Sequence, residues 1–456
     1  MIKIIPVEKN KEYQLYIESV TSEGMGIGRI DGFCIFVPAT VTGDVARVLV
    51  VKVKSGYAYA KLLEIITKSE YRTEPVCDNF IKCGGCQLMH ISYDYQLEIK
   101  KNIINDALSR IGGLSCKVSK MIGAENQLRY RNKMIFPVGK DVNNQPVCGF
   151  YKERSHNIVP LDDCFLGNEI NSKITLAVMD FARENHISIY NELTHKGFLR
   201  RIFIREGYHS KEIMVVISAN GEKLANKDTL IKKLLGISPD IKSIILNINN
   251  KKTNAVLGDK NILLFGKETI EDTLCGMKYE ISPYSFFQIN PVQTQNLYDT
   301  AIKMADISKN DYVMDIYCGL GTISLAAAQN AKKVVGVEIV EQAVINAKRN
   351  AERNGIENVS FYADDATNIV PQLIEKGERP DVVILDPPRK GSDEKTLFAI
   401  ISAKPKRIVY VSCNPSTLAR DLKFLSQNGY LVDDVCGVDM FPQTTHVECC
   451  VLLCRT

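Results

Sequence analysis

Asp315-Ile316-Tyr317-Cys318-Gly319-Leu320-Gly321-Thr322 ends an apolar run, DYVMDIY at 311–317, and opens a helical one, TISLAAAQNA at 322–331. Glycines at a strand-to-helix turn let the backbone approach a ligand beside the helix N-terminus. Downstream the pattern repeats in VVGVEIV (334–340), EQAVINAKRNAERNG (341–355), VSFYADDA (359–366), DVVILD (381–386) and RIVYVSC (407–413). Val/Ile runs alternating with amphipathic helices predict a parallel sheet covered on both faces, a doubly wound α/β domain. The last stretch, YLVDDVCGVDM (430–440), FPQTTH (441–446) and VECCVLLC (447–454), predicts two adjacent strands joined by a loop, an antiparallel edge pair on a Rossmann-type sheet.

Upstream the character differs. YQLYIESV (13–20), CIFVPAT (34–40), VARVLVVKVK (45–54) and AYAKLLEII (58–66) alternate apolar and polar residues around Gly-rich turns, which predicts an OB-like β-barrel. A cysteine-rich segment, Cys77 to Cys86, precedes a helix from about Tyr93 to Ile111 that stops at Gly112-Gly113. Residues 120–270 read as β-rich with basic punctuation. The expected division is a barrel at 1–68, a central RNA-binding domain at 69–275 whose helix 91–113 packs on the catalytic domain, and a catalytic domain at 276–456. A length of 456 residues fits several such units, since single cores stop growing near ~250–300 residues. No apolar run approaches the ~20 residues that span a bilayer, and MIKIIPVEKN lacks the features of a secretory leader, so a cytoplasmic protein without membrane association is expected.

The glycine loop, the acid Glu338 ending the second strand, the acid pair at Asp364-Asp365 and Asp386-Pro387-Pro388 fall in order at strand ends. Glu338 is placed to accept ribose hydroxyls. Cys318-Gly319-Leu320-Gly321-Thr322 lacks the third glycine of a dinucleotide fingerprint, which favours S-adenosylmethionine, a cofactor without phosphate. Gln288, in Ser285-Phe286-Phe287-Gln288-Ile289-Asn290-Pro291 at a helix start, is a candidate for the methionine end.

Ser412-Cys413-Asn414-Pro415 ends an apolar strand at the carboxyl edge of the sheet, where doubly wound folds place their chemistry. Exposed there, a thiolate is a strong soft nucleophile. Carbon 5 of uracil is too poor a nucleophile to take a methyl from a sulfonium, and thiolate attack on carbon 6 creates an enolate that is competent. A base must then remove the carbon 5 proton, for which Glu448 in His446-Val447-Glu448 is the candidate.

Phe-Phe-Gln-Ile-Asn (286–290), Asp-x-Tyr-Cys-Gly-x-Gly (315–321), Asp-Pro-Pro-Arg-Lys-Gly (386–391), Ser-Cys-Asn-Pro (412–415) and His-Val-Glu (446–448), in that order, resemble the bacterial RNA uracil-5-methyltransferase family, in particular its 23S ribosomal RNA branch. The resemblance spans nearly the whole chain, and the N-terminal barrel resembles a TRAM domain. It implies Cys413 as nucleophile, Glu448 as base, and Gln288, Tyr317, Glu338 and Asp386 as cofactor contacts, with Asp386 also near the pyrimidine. Asp365 is added to the cofactor set from the acid pair. The family often has Phe where this chain has Tyr317. A tRNA uridine-5-methyltransferase and a non-catalytic iron–sulfur RNA-binding protein are the alternatives.

The chain holds 14 Cys and 6 His. Cys77, Cys83 and Cys86 form a tight triplet, and Cys164 is a distant fourth. That spacing favours a four-cysteine [4Fe–4S] cluster, with zinc the main competitor; the resemblance adds weight, because the ribosomal branch carries such a cluster on the matching cysteines. RNA contacts are expected from Arg129-Tyr130-Arg131-Asn132-Lys133, from Tyr151-Lys152-Glu153-Arg154 and from Arg200-Arg201-Ile202-Phe203-Ile204-Arg205, with Arg131 and Lys133 foremost. The target base must leave any helix to meet Cys413. The expected partner is 23S ribosomal RNA, with no obligate protein partner.

Overall fold

The computed structural model describes residues 5–141, 143–152 and 155–456. Glu153 and Arg154, part of one expected basic cluster, lie outside the described residues.

The first five strands, β1 (Glu12–Val20), β2 (Met25–Ile30), β3 (Phe33–Pro38), β4 (Val45–Val53) and β5 (Tyr57–Thr67), close into a barrel of order β1-β2-β3-β5-β4. Their alternation turns Leu15, Ile17, Ile35, Val37, Val48 and Val50 inward, where each is at most 1% exposed. Arg72 staples the following segment back onto it, donating to Asp44 and to the Ala39 carbonyl.

Helix α1 (Tyr93–Arg110) leads into β6 (Lys120–Ile122). Ile104 and Leu108 of α1 are buried in the same core as Leu418, Val435 and Val451, which joins this helix to the C-terminal part of the chain.

A central sheet then forms from β7 (Lys133–Lys140), β8 (Pro146–Tyr151), β9 (Ile158–Pro160), β10 (Leu199–Glu206), β11 (Ile213–Ala219), β12 (Ile241–Ile248) and β13 (Lys260–Gly266), in the order β13-β12-β11-β10-β7-β8-β9. Helices α2 (Ile170–Glu184) and α3 (Lys227–Leu235) cover one face through Ile174, Val178, Phe181, Leu230 and Leu234. Phe203, Met214, Val216 and Ile245 on the other face join the catalytic core. A sheet buried on both faces explains why β11 reads as a nearly continuous apolar run, interrupted by Ser218.

A hairpin of β14 (Ile270–Leu274) and β15 (Met277–Ile281) precedes α4 (Pro291–Ala305). The doubly wound part follows: β16 (Tyr312–Ile316), α5 (Thr322–Ala328), β17 (Lys333–Glu338), α6 (Glu341–Arg353), β18 (Val359–Ala363), α7 (Ala366–Glu375), β19 (Val382–Leu385), α8 (Glu394–Ala403), β20 (Arg407–Ser412), α9 (Pro415–Gln427), β21 (Tyr430–Val438) and β22 (Glu448–Arg455). The sheet order is β18-β17-β16-β19-β20-β22-β21-β6. β16 to β20 are parallel; β22 runs antiparallel to both β20 and β21, the expected edge pair. What the sequence did not announce is β6, which pairs parallel with β21 and extends this sheet by an eighth strand from far upstream.

Among the described residues, no helix is long and apolar enough to cross a membrane.

Candidate active site and cysteine cluster

Cys413 follows the last residue of β20 and precedes Asn414, the N-cap of α9. The Asn414 side chain accepts from the Ser416 amide at 3.1 Å and its amide nitrogen donates to the Arg389 carbonyl at 2.9 Å. Thr417 also donates to that carbonyl, and Arg420 donates to those of Lys390 and Ser392. The loop 386–391 is therefore sewn to the start of α9, beside the thiol. Gly391, at φ +80°, is required there: a Cβ would lie 2.5 Å from the Arg420 guanidinium and 2.6 Å from the Asp421 carboxylate.

Ser412 and Cys449 form the last pair of the β20–β22 ladder, which leaves Cys413, one residue on, and Glu448, one residue back, adjacent to that end of the ladder. Glu448 is 3% exposed and has no side-chain hydrogen bond among the described residues. Burial, and then the neighbouring Asp386 carboxylate, hold its carboxyl well above the usual range, against the pull of Arg389. Asp386, just past β19, is pushed up to about 7 by burial and by Asp315. The Cys413 thiol is raised by burial and by Glu448, while the Arg389 guanidinium draws it back down. One thiol, two carboxyls and one guanidinium thus converge at the carboxyl end of β19 and β20. Arg389 is the member sequence reasoning missed as a functional group; its signal was its place beside Asp-Pro-Pro, where the loop brings it to the thiol.

The loop 439–447 that delivers Glu448 is held from outside itself. Five successive carbonyls each accept a donor from another segment: Asp439 from Gln293 at 3.0 Å, Met440 from Asn290 at 3.1 Å, Phe441 from Lys100 at 3.1 Å, Pro442 from Tyr130 at 3.1 Å, and Gln443 from the Gln87 and Leu88 amides at 3.0 Å each. The Asp439 carboxylate, fully buried, accepts from Lys100, also fully buried, at 2.5 Å and from Tyr93 at 2.9 Å.

At the glycine loop, the Glu338 carboxylate accepts from the amides of Gly319 at 3.1 Å and Val340 at 2.9 Å. Tyr317 takes φ +73°, an unusual conformation for a residue with a side chain, and its hydroxyl meets Ser392 at 3.0 Å. Gly319 has open space where a Cβ would stand. Asp315 is fully buried, bonded through one oxygen to Ser324 and with its other oxygen unpartnered; burial pushes its carboxyl up to about 7. Ile339 and Val340 are 62% and 54% exposed, apolar side chains left open beside Glu338. The Asp365 side chain caps α7, accepting from the amide and hydroxyl of Thr367. Gln288 lies two residues before the α4 cap Asn290, and its backbone carbonyl accepts from Asn132 at 3.0 Å. No side-chain hydrogen bond engages Gln288 among the described residues.

The basic clusters divide. Arg200, Arg201 and Arg205 are 2%, 6% and 2% exposed, with guanidinia donating to the backbone carbonyls of Asn249 and Lys251, of Ala255, and of Ser282 and Ser285. The expectation of an RNA-facing patch on this strand is corrected: these cations are interior struts, because their strand lies in the middle of the central sheet. Arg129 pairs with Asp163. Lys133 is half-buried and drawn down to about 8 by burial and by the neighbouring Arg205 and Arg131. Arg131 stands over the Tyr130 ring, 5.9 Å from its centroid, with its Nε buried and unpartnered.

Arg131 also faces the cysteines. Burial, then Cys164, pushes the Cys86 thiol up to about 12, against Arg131; Cys83 and Cys77 raise it further. Cys83 is raised by burial and by Cys77, and Cys164 by burial and, in smaller part, by Cys83. The four cysteines from two distant segments are thus within electrostatic reach of one another, and all are free thiols. Among the described residues, no group of three or more His, Cys, Asp or Glu side chains is drawn tightly enough to hold a metal ion. The donor set, four half-buried thiols with Arg131 acting on Cys86 and Cys164, has the chemistry of a thiolate-bound cluster, but the thiols are not drawn together as ligands would be. Of the others, Cys436, Cys449 and Cys450 are packed inside the sheet.

Known proteins resemble this chain along its whole length. A family model described as tRNA (uracil-5-)-methyltransferase matches residues 92–456, and a TRAM domain model matches 6–63. An uncharacterized RNA methyltransferase of Clostridium acetobutylicum is 48% identical over 100% of this chain and 99% of its own, and one of Halalkalibacterium halodurans is 46% identical over 98% of each. Among solved structures, the Pyrococcus abyssi tRNA (uracil-54, C5)-methyltransferase in complex with S-adenosyl-L-homocysteine matches with a TM-score of 0.79 at 29% identity, over 97% of this chain and 100% of that one. A match over 97% of the chain takes in the barrel, so a barrel does not by itself separate a ribosomal from a transfer RNA enzyme.

Proposed function

Because the chain belongs to the tRNA (uracil-5-)-methyltransferase family, we propose that it transfers a methyl group from S-adenosylmethionine to carbon 5 of a uridine in 23S ribosomal RNA. The observation that carries the chemistry is the placement of Cys413 and Glu448 together at the end of the β20–β22 ladder, with Asp386 and Arg389 beside them.

S-adenosylmethionine supplies an electrophilic methyl group. The fit rests on the open approach at Gly319, the Glu338 carboxylate oriented by two amides, the unpartnered oxygen of Asp315 and the apolar Ile339 beside them. Glu338 would take the ribose hydroxyls, the 317–319 backbone would approach the cofactor, and Gln288 and Asp386 would face its methionine end. Asp365 serves this site through the cap it gives α7.

Arg389 stabilises the Cys413 thiolate, which adds to carbon 6 of the uracil. The carbon 5–carbon 6 electron pair moves toward the carbonyl, and carbon 5 then takes the methyl group. Glu448 accepts the carbon 5 proton, the freed pair re-forms the double bond, and the carbon 6–sulfur bond breaks to return the thiolate. Asp386 lies where it would hold the pyrimidine edge. Arg131 and Lys133 are the proposed RNA contacts at the rim, and residues 1–68 and 69–275 the RNA-holding units around a catalytic unit at 276–456.

Cys77, Cys83, Cys86 and Cys164 would hold a [4Fe–4S] cluster with a structural role, since methyl transfer needs no redox step. The ribosomal substrate is supported by the four-cysteine set, which the resemblance ties to the ribosomal branch; the barrel does not discriminate, since the match to the Pyrococcus abyssi tRNA enzyme takes it in. Transfer RNA is the second reading, favoured by the tRNA specificity named for the Pyrococcus abyssi protein. Incubating the protein with tritiated-methyl cofactor and each RNA separates them. Label in transfer RNA alone would replace the ribosomal assignment, and label in neither would overturn the function.

A further inference from the structure

We propose that Gln443 is a positioning residue through which the cysteine segment 77–88 sets the place of Glu448. The inference rests on the proposed role of Glu448 as the base and adds a coupling between it and a segment outside the reaction. Gln443 is 7% exposed and adopts φ +70°, a left-handed conformation that is unfavourable for a residue with a side chain. The surroundings hold it there. Its carbonyl accepts from the Gln87 and Leu88 amides, the two residues directly after Cys86. Its side-chain oxygen accepts from Gln96 at 3.0 Å, and its amide donates to the Gln96 oxygen at 3.1 Å.

Gln96 closes the circuit, because the same side-chain nitrogen reaches the Leu88 carbonyl at 3.1 Å. Gln443, Gln96 and Leu88 thus form one ring of hydrogen bonds between the loop and the cysteine segment. The barrel touches the same point, since a Cβ on Gly24 would lie 2.8 Å from the Gln87 side chain and 3.2 Å from Thr445. From Gln443 the chain runs five residues to Glu448, with the His446 amide donating to Thr444 at 3.3 Å. Displacing Cys86 therefore pulls the two amides that pin Gln443, and releasing Gln443 lets the approach to Glu448 relax.

The coupling acts on the last step. There the Glu448 carboxylate takes the carbon 5 proton, the carbon–hydrogen pair becomes the carbon 5–carbon 6 double bond, and the sulfur leaves as the Cys413 thiolate. A displaced base slows that step and leaves RNA bound to Cys413.

Two measurements on the full chain test this. In hydrogen exchange, Cys86→Ala should speed exchange across residues 439–448 by roughly tenfold, as expected when local opening becomes easier, while Cys454→Ala, at the far end of β22, should not. On denaturing gels, Gln443→Val, which disfavours the left-handed backbone, should raise the fraction of RNA bound to Cys413 with RNA affinity unchanged. Gln443→Gly, which tolerates that backbone and keeps the carbonyl, should restore turnover. Unchanged exchange at 439–448 in Cys86→Ala, or a glycine variant as impaired as the valine one, would overturn the coupling. Methyl transfer by Cys413→Ala would overturn the covalent chemistry instead, and the exchange result would still decide the coupling.

Discussion

Cys413, one residue past β20, and Glu448, the first residue of β22, lie just beyond the last pair of the β20–β22 ladder, Ser412 with Cys449, and the Glu448 carboxyl acts on the Cys413 thiol. Backbone pairing brings the two strand ends together, and the side chains that hold loop 439–443 steady the approach to Glu448. Cys413→Ala is expected to abolish methyl transfer. Glu448→Gln, which keeps shape and loses the base, should form the RNA adduct but release it roughly 10²–10⁴ times more slowly. Gel-shifted RNA that survives denaturant measures the difference; free turnover by the glutamine variant would rule Glu448 out.

Asp386 adds to the reluctance of buried Glu448 to ionise, while Asp386 itself is held up by burial and by Asp315. A base must be deprotonated to work, so the rate should climb with pH over a range above that of an ordinary carboxylate. Asp386→Asn removes the like charge, which lowers the Glu448 pKa and moves the acid limb to lower pH. The maximal rate falls because a pyrimidine contact is lost, but the midpoint, read from the pH–rate profile, reports the electrostatics separately. A midpoint that stays put or moves up would contradict the pairing.

Arg389 opposes the rise in the Cys413 pKa caused by burial and Glu448. Arg389→Met should therefore raise the pH at which Cys413 is alkylated by iodoacetamide. Mass spectrometry of the alkylated peptide gives the midpoint. Arg389→Lys should sit between the two, because a point charge replaces the planar fork.

Lys100 and Asp439 are a fully buried ion pair that ties α1 to the loop before Glu448. Lys100→Met leaves a buried carboxylate with Tyr93 as its remaining side-chain partner, and should cost about 3–5 kcal/mol in urea unfolding. The double variant with Asp439→Leu should recover part of that loss. A single variant within ~1 kcal/mol of the parent would show that the pair is not held as closely as described.

Anaerobically purified protein should carry about four iron atoms per chain, and serine at Cys77, Cys83, Cys86 or Cys164 should remove them. Elemental analysis decides this, and one zinc with no iron would replace the assignment.

The doubly wound pattern was readable because parallel strands buried on both faces leave near-continuous apolar runs, as in Val-Val-Gly-Val at 334–337 and Val-Val-Ile-Leu at 382–385. Cys413 was readable because Asn-Pro marks the strand end behind it. Arg200, Arg201 and Arg205 were misread as an RNA surface because a strand's sequence carries its charges but not its depth. Their burial follows from backbone carbonyls contributed by segments 249–255 and 282–285, which no local pattern announces. β6 was invisible for a related reason. Three residues carry little period, and its partner lies more than 300 positions away. What the sequence did not show of Asp365 is that it also caps α7, through one carboxylate oxygen, since a capping aspartate and a cofactor-binding one share a place just after a strand.

The parallel pairing of β6 with β21 also sets an order of events during synthesis. Residues 93–122 emerge from the ribosome long before residues 430–439, to which they are matched through both the ladder and the Lys100–Asp439 pair. At ~5–20 residues per second, the wait is on the order of tens of seconds. Through that interval α1 has no acid for its buried lysine and no sheet for its apolar face. The central sheet folds inside the gap, and the catalytic body completes itself only when the tail arrives, so even a short truncation at the C-terminus should unsettle a helix some 340 residues upstream.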